Sequence, residues 1–160
     1  MPRAVFPIIL ACLTAGVVSG CAISPPYVMY EDKRVPLSQT SVLSVRQDQS
    51  SPASRGSASI RSVDGIRIGI RSCHLICPVW VRVLPGSHSF TISYEEFVGN
   101  FKYGGTVLVP VADMKAQHVY VVRLQRVGSE LGASVEDLGE NPEYGFKHRD
   151  GRYLHRVTFE

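Results

Sequence analysis

From Ala58 onward, apolar residues tend to recur at every second position. Ile66, Ile68 and Ile70 alternate with Arg67 and Gly69, and Val79, Val81 and Val83 alternate with Trp80, Arg82 and Leu84. Phe90, Ile92 and Tyr94 share one parity, as do Val107, Val109 and Val111. Successive side chains of a strand point to opposite faces, so a period of two predicts half-buried strands. Val119–Leu124 is apolar almost without a break and predicts a central strand, Ser134–Leu138 a weaker or edge strand, and Tyr153–Phe159 a last one. Ser59–Val63 is a short strand closed by Asp64-Gly65, a tight-turn pair. Leu84-Pro85-Gly86-Ser87 reads as a second turn, Asn100–Gly105 as a loop, and Gly104-Gly105 within it as a turn. No segment of ten or more residues carries a helical period. The expected fold class is all-β, an antiparallel β-sandwich of about seven short strands.

The N-terminal residues follow another pattern. Met1-Pro2-Arg3 leads into an apolar run, Ala4–Val18. A basic tip followed by a short apolar stretch has the form of an export signal, and the run is shorter than the ~20 residues a membrane span needs. Val18-Ser19-Gly20-Cys21 resembles the lipobox of bacterial lipoproteins: an aliphatic residue, two small ones, then cysteine. A peptidase that grips an extended backbone needs small residues ahead of its cut. The resemblance implies lipidation of Cys21, with a diacylglycerol on its sulfur through a thioether and a palmitate-type acyl chain on the freed amine. One chain anchors a protein marginally, whereas two or more hold it stably. An ordinary secretory signal with a chance cysteine is the alternative, but no cleaner Ala-Xaa-Ala-like site stands nearby. Cys12 leaves with the signal. Aspartate after the cysteine is the usual inner-membrane retention signal in enteric bacteria; Ala22 stands there instead. That leans toward the outer membrane, facing the periplasm.

The expected organisation is a signal peptide at 1–20, a lipid-anchored tether leading into the domain at 21–57, and a β-sandwich domain at 58–160. Within the tether, Ser24-Pro25-Pro26 is a stiff extended start. Val42–Val45 is a candidate first strand, and 47–57 is a flexible loop rich in Ser, Gln and Gly. The mature chain is one domain's worth, in the usual range of roughly 100–150 residues. The formal net charge is +3, with Arg3 the only charged residue before Cys21. So mild a balance argues against a nucleic-acid partner.

Val83-Leu84-Pro85-Gly86-Ser87-His88-Ser89-Phe90-Thr91-Ile92 resembles a hairpin of small β-sandwich domains found in bacterial lipoproteins, including PEGA-type and carboxypeptidase-regulatory-like modules. Ile60-Arg61-Ser62-Val63-Asp64-Gly65 is similar to the strand pair that precedes it there, and His118-Val119-Tyr120-Val121-Val122 to a later strand. The resemblance spans roughly Ala58 to Asp137. It implies a fold rather than an activity.

The sharpest local chemistry is Cys73-His74-Leu75-Ile76-Cys77. Export places these thiols in an oxidising compartment, so Cys73 and Cys77 are a candidate disulfide. Residues four apart in a strand lie ~13 Å apart, beyond the ~7 Å that a disulfide tolerates between Cα atoms. The bond therefore requires a turn at this place. Free thiols are a second reading. A soft metal site of Cys73, His74 and Cys77 is a third, short of the four ligands of structural zinc. His88 and His118 show no partner in the sequence and read as hairpin histidines bonded to backbone. Glu95-Glu96 and Glu136-Asp137 are neighbours on strands rather than carboxylates converging across a cleft, so they read as solvated charges. No nucleophile-elbow, zinc-protease or phosphate-loop motif occurs. The basic, aromatic segment Phe146–Arg156 reads as a solvated hairpin around Asp150-Gly151 with a protected edge. Its alternative is a surface for lipid headgroups or anionic glycan.

The expected function is that of a membrane-anchored envelope lipoprotein with a non-catalytic β-domain. The domain would bind another protein or an envelope polymer without a cofactor, through a contiguous aromatic patch expected near Tyr94, Phe97, Phe101 and Tyr103. A metal- or small-ligand-binding lipoprotein using Cys73, His74 and Cys77 is the alternative.

Overall fold

The computed structural model describes residues 25–47, 54–68, 78–147 and 150–160. Its elements are β1 (Tyr27–Val28), a single 3-10 turn (Leu37–Gln39), β2 (Ser41–Gln47), β3 (Ser54–Val63), β4 (Ile66–Arg67), β5 (Trp80–Val83), β6 (Gly86–Val98), β7 (Phe101–Met114), β8 (His118–Val127), β9 (Glu130–Glu140), β10 (Gly145–Lys147) and β11 (Tyr153–Arg156). The all-β class holds; the described residues form eleven strands rather than about seven. One sheet has the order β1-β5-β2-β8-β9, a second β4-β3-β6-β7, and β10-β11 is a separate hairpin.

Two pairings depart from the antiparallel expectation: β1 with β5 and β2 with β8 run parallel. The second follows from the chain path. After β2 the chain crosses to the other sheet for β3, returns for β5, and crosses again for β6 and β7 before β8 lies down beside β2. Residues 27–47, read above as lead-in, supply two strands of the first sheet, and β2 lies in its middle. The sheet thus begins well before Ala58.

The turns follow local rules. Asp64 and Gly65 both have positive φ (51° and 77°), as a type I′ hairpin requires. Gly99 opens the β6–β7 turn at φ 59° and Gly128 the β8–β9 turn at φ 63°. Glycine first in a two-residue loop is the II′ pattern. Gly104 and Gly105, expected in a turn, instead pair with Glu95 and Tyr94 inside β7. The turn falls at Gly99-Asn100, so β6 and β7 form one long hairpin.

The two sheets enclose the main core. Leu43 and Val45 of β2, Ile60 and Val63 of β3, Val81 and Val83 of β5, Phe90, Ile92 and Tyr94 of β6, Val109 and Val111 of β7, and Tyr120, Val122 and Leu124 of β8 all face it. A second cluster covers the outer face of the first sheet: Val42, Trp80, Val119 and Val121 lie beneath Tyr144, Val157 and Phe159. Phe146 meets Trp80 edge to face, with ring centroids 4.7 Å apart. The C-terminal segment therefore buries a sheet face that would otherwise be wet. This is why all four residues of β5 are buried and why β8 is apolar on both faces.

Candidate functional site

Cys21, Cys73, His74 and Cys77 lie outside the described residues, so lipidation, the candidate disulfide and the metal alternative are not addressed by the structure. The remaining candidate residues fall at the two ends of the sandwich and on the outer cluster.

At one end Gly86 pairs with Met114, shortly before β8 begins. Both histidines lie near this end, and both have carboxylate partners that the sequence did not reveal. His88 contacts Asp64 Oδ2 through Nδ1 at 2.6 Å and the Leu84 carbonyl through Nε2 at 2.8 Å. The backbone bond is as expected; the Asp64 contact crosses 24 residues. His118 Nδ1 sits 2.9 Å from Asp137 Oδ1. Partial burial pushes the Asp64 carboxyl up, but hydrogen bonds from His88 and the Ser89 N–H outweigh it and hold Asp64 below its usual value. Asp137 is likewise held low: burial raises it, and the Gly139 N–H, His118 and Tyr120 more than compensate. Each histidine is tied to its own acid.

At the other end the acidic neighbours part company. Glu95 is exposed and pairs with Lys102 at 2.9 Å. Glu96, expected to be solvated, is only 1% exposed and receives the Arg126 Nε–H at 2.7 Å. Adjacent strand residues face opposite ways, and Glu96 shares the inward parity of Phe90, Ile92 and Tyr94. Arg126 also lies 4.0 Å from the centroid of the Tyr103 ring. Glu96 belongs to β6 and Arg126 to β8, so this ion pair spans the two sheets. The expected aromatic patch is divided. Tyr94 is core, while Phe97, Phe101 and Tyr103 are exposed, Tyr103 with the Arg126 guanidinium over its ring.

On the outer cluster, Arg82 is buried. Loss of water lowers its pKa, and the guanidinium donates to Thr40 Oγ1 (2.7 Å) and the Thr158 carbonyl (2.9 Å) beside the Phe159 ring. It pins the C-terminal segment to the first sheet.

Beside this segment, two open clefts meet at Arg46. One is lined by Arg46, Tyr144, Phe146, Lys147 and Tyr153 among others. The second is lined by Arg46, Ser57, Val79, Arg123 and Phe146 among others. Arg46 stacks over Tyr144 (5.1 Å), Lys147 over Tyr153 (4.5 Å), and Arg123 pairs with Glu136 (3.0 Å). Part of the basic, aromatic segment noted in the sequence thus lines a cleft, joined by Arg46 of β2 and Arg123 of β8. Those two are paired in register on neighbouring parallel strands, a juxtaposition no local pattern reveals. The first cleft mixes cations and ring faces with the Glu143 carboxylate, the polar and aromatic chemistry that suits a sugar-like group. Among the described residues no group of three or more His, Cys, Asp or Glu side chains is placed to hold a metal ion. No described helix is long and apolar enough to cross a membrane.

Comparison with protein-family models, with curated proteins and with solved structures finds no match.

Proposed function

We propose that the protein is an envelope lipoprotein: a β-domain held at a membrane by lipid on Cys21, in the outer membrane facing the periplasm, whose work is contact rather than catalysis. The observation that carries this reading is the position of the lipobox-like Val18-Ser19-Gly20-Cys21 relative to the first paired strand. That strand begins at Tyr27, six positions after Cys21. The folded domain would follow closely on the anchor.

The non-catalytic part is supported by how the ionisable groups are used. His88, His118 and Glu96 each meet a partner of the fold, Asp64, Asp137 and Arg126. The cleft at Arg46 is the favoured contact surface for an envelope polymer or protein.

Mass spectrometry of the intact N-terminal peptide from the membrane fraction tests the anchor: acylated Cys21 is expected, and an unmodified thiol or a cut elsewhere would refute it. Crosslinking in cells tests the contact surface. Arg46→Glu with Lys147→Glu should abolish the adduct that the wild-type protein forms, and an unchanged adduct would move the surface elsewhere.

A further inference from the structure

The two clefts form one groove. Both are lined by Arg46 and Phe146, so the surface runs from the β10–β11 hairpin, past the end of β2, to Ser57 in the first half of β3. The fold puts it there. Val42, Ser44 and Arg46 share the outward face of β2. The C-terminal segment covers Val42 and bonds to Ser44 through Tyr144, but leaves Arg46 exposed.

The fold uses few of the groove's polar groups. Arg123 is answered by Glu136. Arg46 and Lys147 lie over the Tyr144 and Tyr153 rings and have no carboxylate partner among the described residues. The Glu143 carboxylate, in the first cleft, has no cation partner among them, and the exposed Ser57 hydroxyl, in the second, makes no hydrogen bond among them. Phe146, half-buried, meets Trp80 edge to face, and no cation stacks on it among the described residues.

We propose that this groove binds a linear sugar chain of the class that forms the strands of the cell wall, with a sugar unit in each cleft and Arg46 and Phe146 at the junction. This rests on the reading of the cleft as the contact surface. A sugar hydroxyl both donates and accepts, so it can answer Arg46, Lys147, Glu143 and Ser57 alike, while the C–H face of the sugar ring covers an aromatic side chain. A polyanion would meet the Glu143 carboxylate in the first cleft and Glu136 beside Arg123. A peptide would find few apolar anchors, since Val45 and Ala58 belong to the core and Val79 packs against it. A chain that fills both clefts gains the second contact without a second cost of association, so affinity should rise with length.

The test is calorimetric titration of the full chain, purified in detergent, with cell-wall glycan strands freed of their peptides, with the single sugars of those strands, and with the freed peptides. The strands should bind at least about tenfold tighter than the single sugars. Arg46→Ala should weaken strand binding about tenfold or more, as loss of a hydrogen bond from a charged group does. Ser57→Tyr, which narrows the second cleft alone, should weaken the strands and leave the single sugars unchanged. An unchanged urea midpoint shows that each variant is folded. Strands that bind no tighter than single sugars, binding that R46A leaves intact, or binding of the peptides alone would overturn the proposal. If no glycan binds while Arg46→Glu with Lys147→Glu still abolishes the adduct in cells, the sugar chain is overturned and the contact surface stands. An adduct that also persists would overturn both.

Discussion

The Tyr144 phenol donates a hydrogen bond to Ser44 Oγ across 2.9 Å, joining the C-terminal segment to the middle strand of the first sheet over 100 residues of sequence. Both groups are buried, so the bond removes two polar atoms from water without leaving either unsatisfied. Tyr144→Phe should cost about 1 kcal/mol, the net value of such a bond. Tyr144→Ala, which also removes the ring from the outer cluster, should cost ~3 kcal/mol or more. Urea unfolding at neutral pH separates the two.

Glu96 and Arg126 should behave as a unit. Arg126→Met takes a cation from a carboxylate that is almost wholly buried, and the melting temperature should fall clearly. Adding Glu96→Gln should restore part of the loss, because the residue left behind is then neutral. A double mutant less stable than R126M would show that Glu96 does not depend on this cation. A thermal double-mutant cycle reads the coupling.

Acid should weaken the histidine end. Asp64 and Asp137 have folded-state pKa values held below the ordinary aspartate value. A depressed carboxylate pKa contributes stability that is present above the unfolded-state value and is lost as pH falls through the folded one. The loss should therefore come below about pH 4. Asp64→Asn keeps a residue that tolerates the positive φ at this position, so it isolates the charge. The stability gap between wild type and D64N should be larger at pH 5 than at pH 3. A gap that does not narrow would remove the linkage.

Gly145 has no room for a side chain. A Cβ there would run into the His155 carbonyl and come within 2.8 Å of Arg156 Cα. Gly145 and Arg156 are directly paired across the β10–β11 hairpin, so backbone rather than a flexible side chain would have to give. Gly145→Ala should cost about 1–3 kcal/mol. It should also expose Trp80, which tryptophan fluorescence detects as a red shift.

Much of the fold could be read locally. The parity of Phe90, Ile92 and Tyr94 assigned their face, and the nearly continuous apolar run at Val119–Leu124 marked a central strand, because strand geometry converts order in the chain directly into side-chain direction. The same rule was available for Glu95-Glu96. Counting parity from Phe90 places Glu96 inward, and only its charge argued otherwise. Gly104-Gly105 misled for a related reason: glycine is frequent in turns, but the pairing of β6 with β7 shifted the turn to Gly99-Asn100 and drew those glycines into a strand.

The sequence by itself determined the alternating strands, the Asp64-Gly65 turn and the lipobox-like site before Cys21, since each depends on residues within a few positions of one another. Tertiary structure alone decided that Asp64 meets His88, that Asp137 meets His118, that Arg46 and Arg123 line a common cleft, and that Tyr144, Val157 and Phe159 roof the first sheet. These contacts join residues brought together by chain crossings between sheets. No short window of sequence records a crossing, because its energy comes from surfaces that exist only once both sheets have formed.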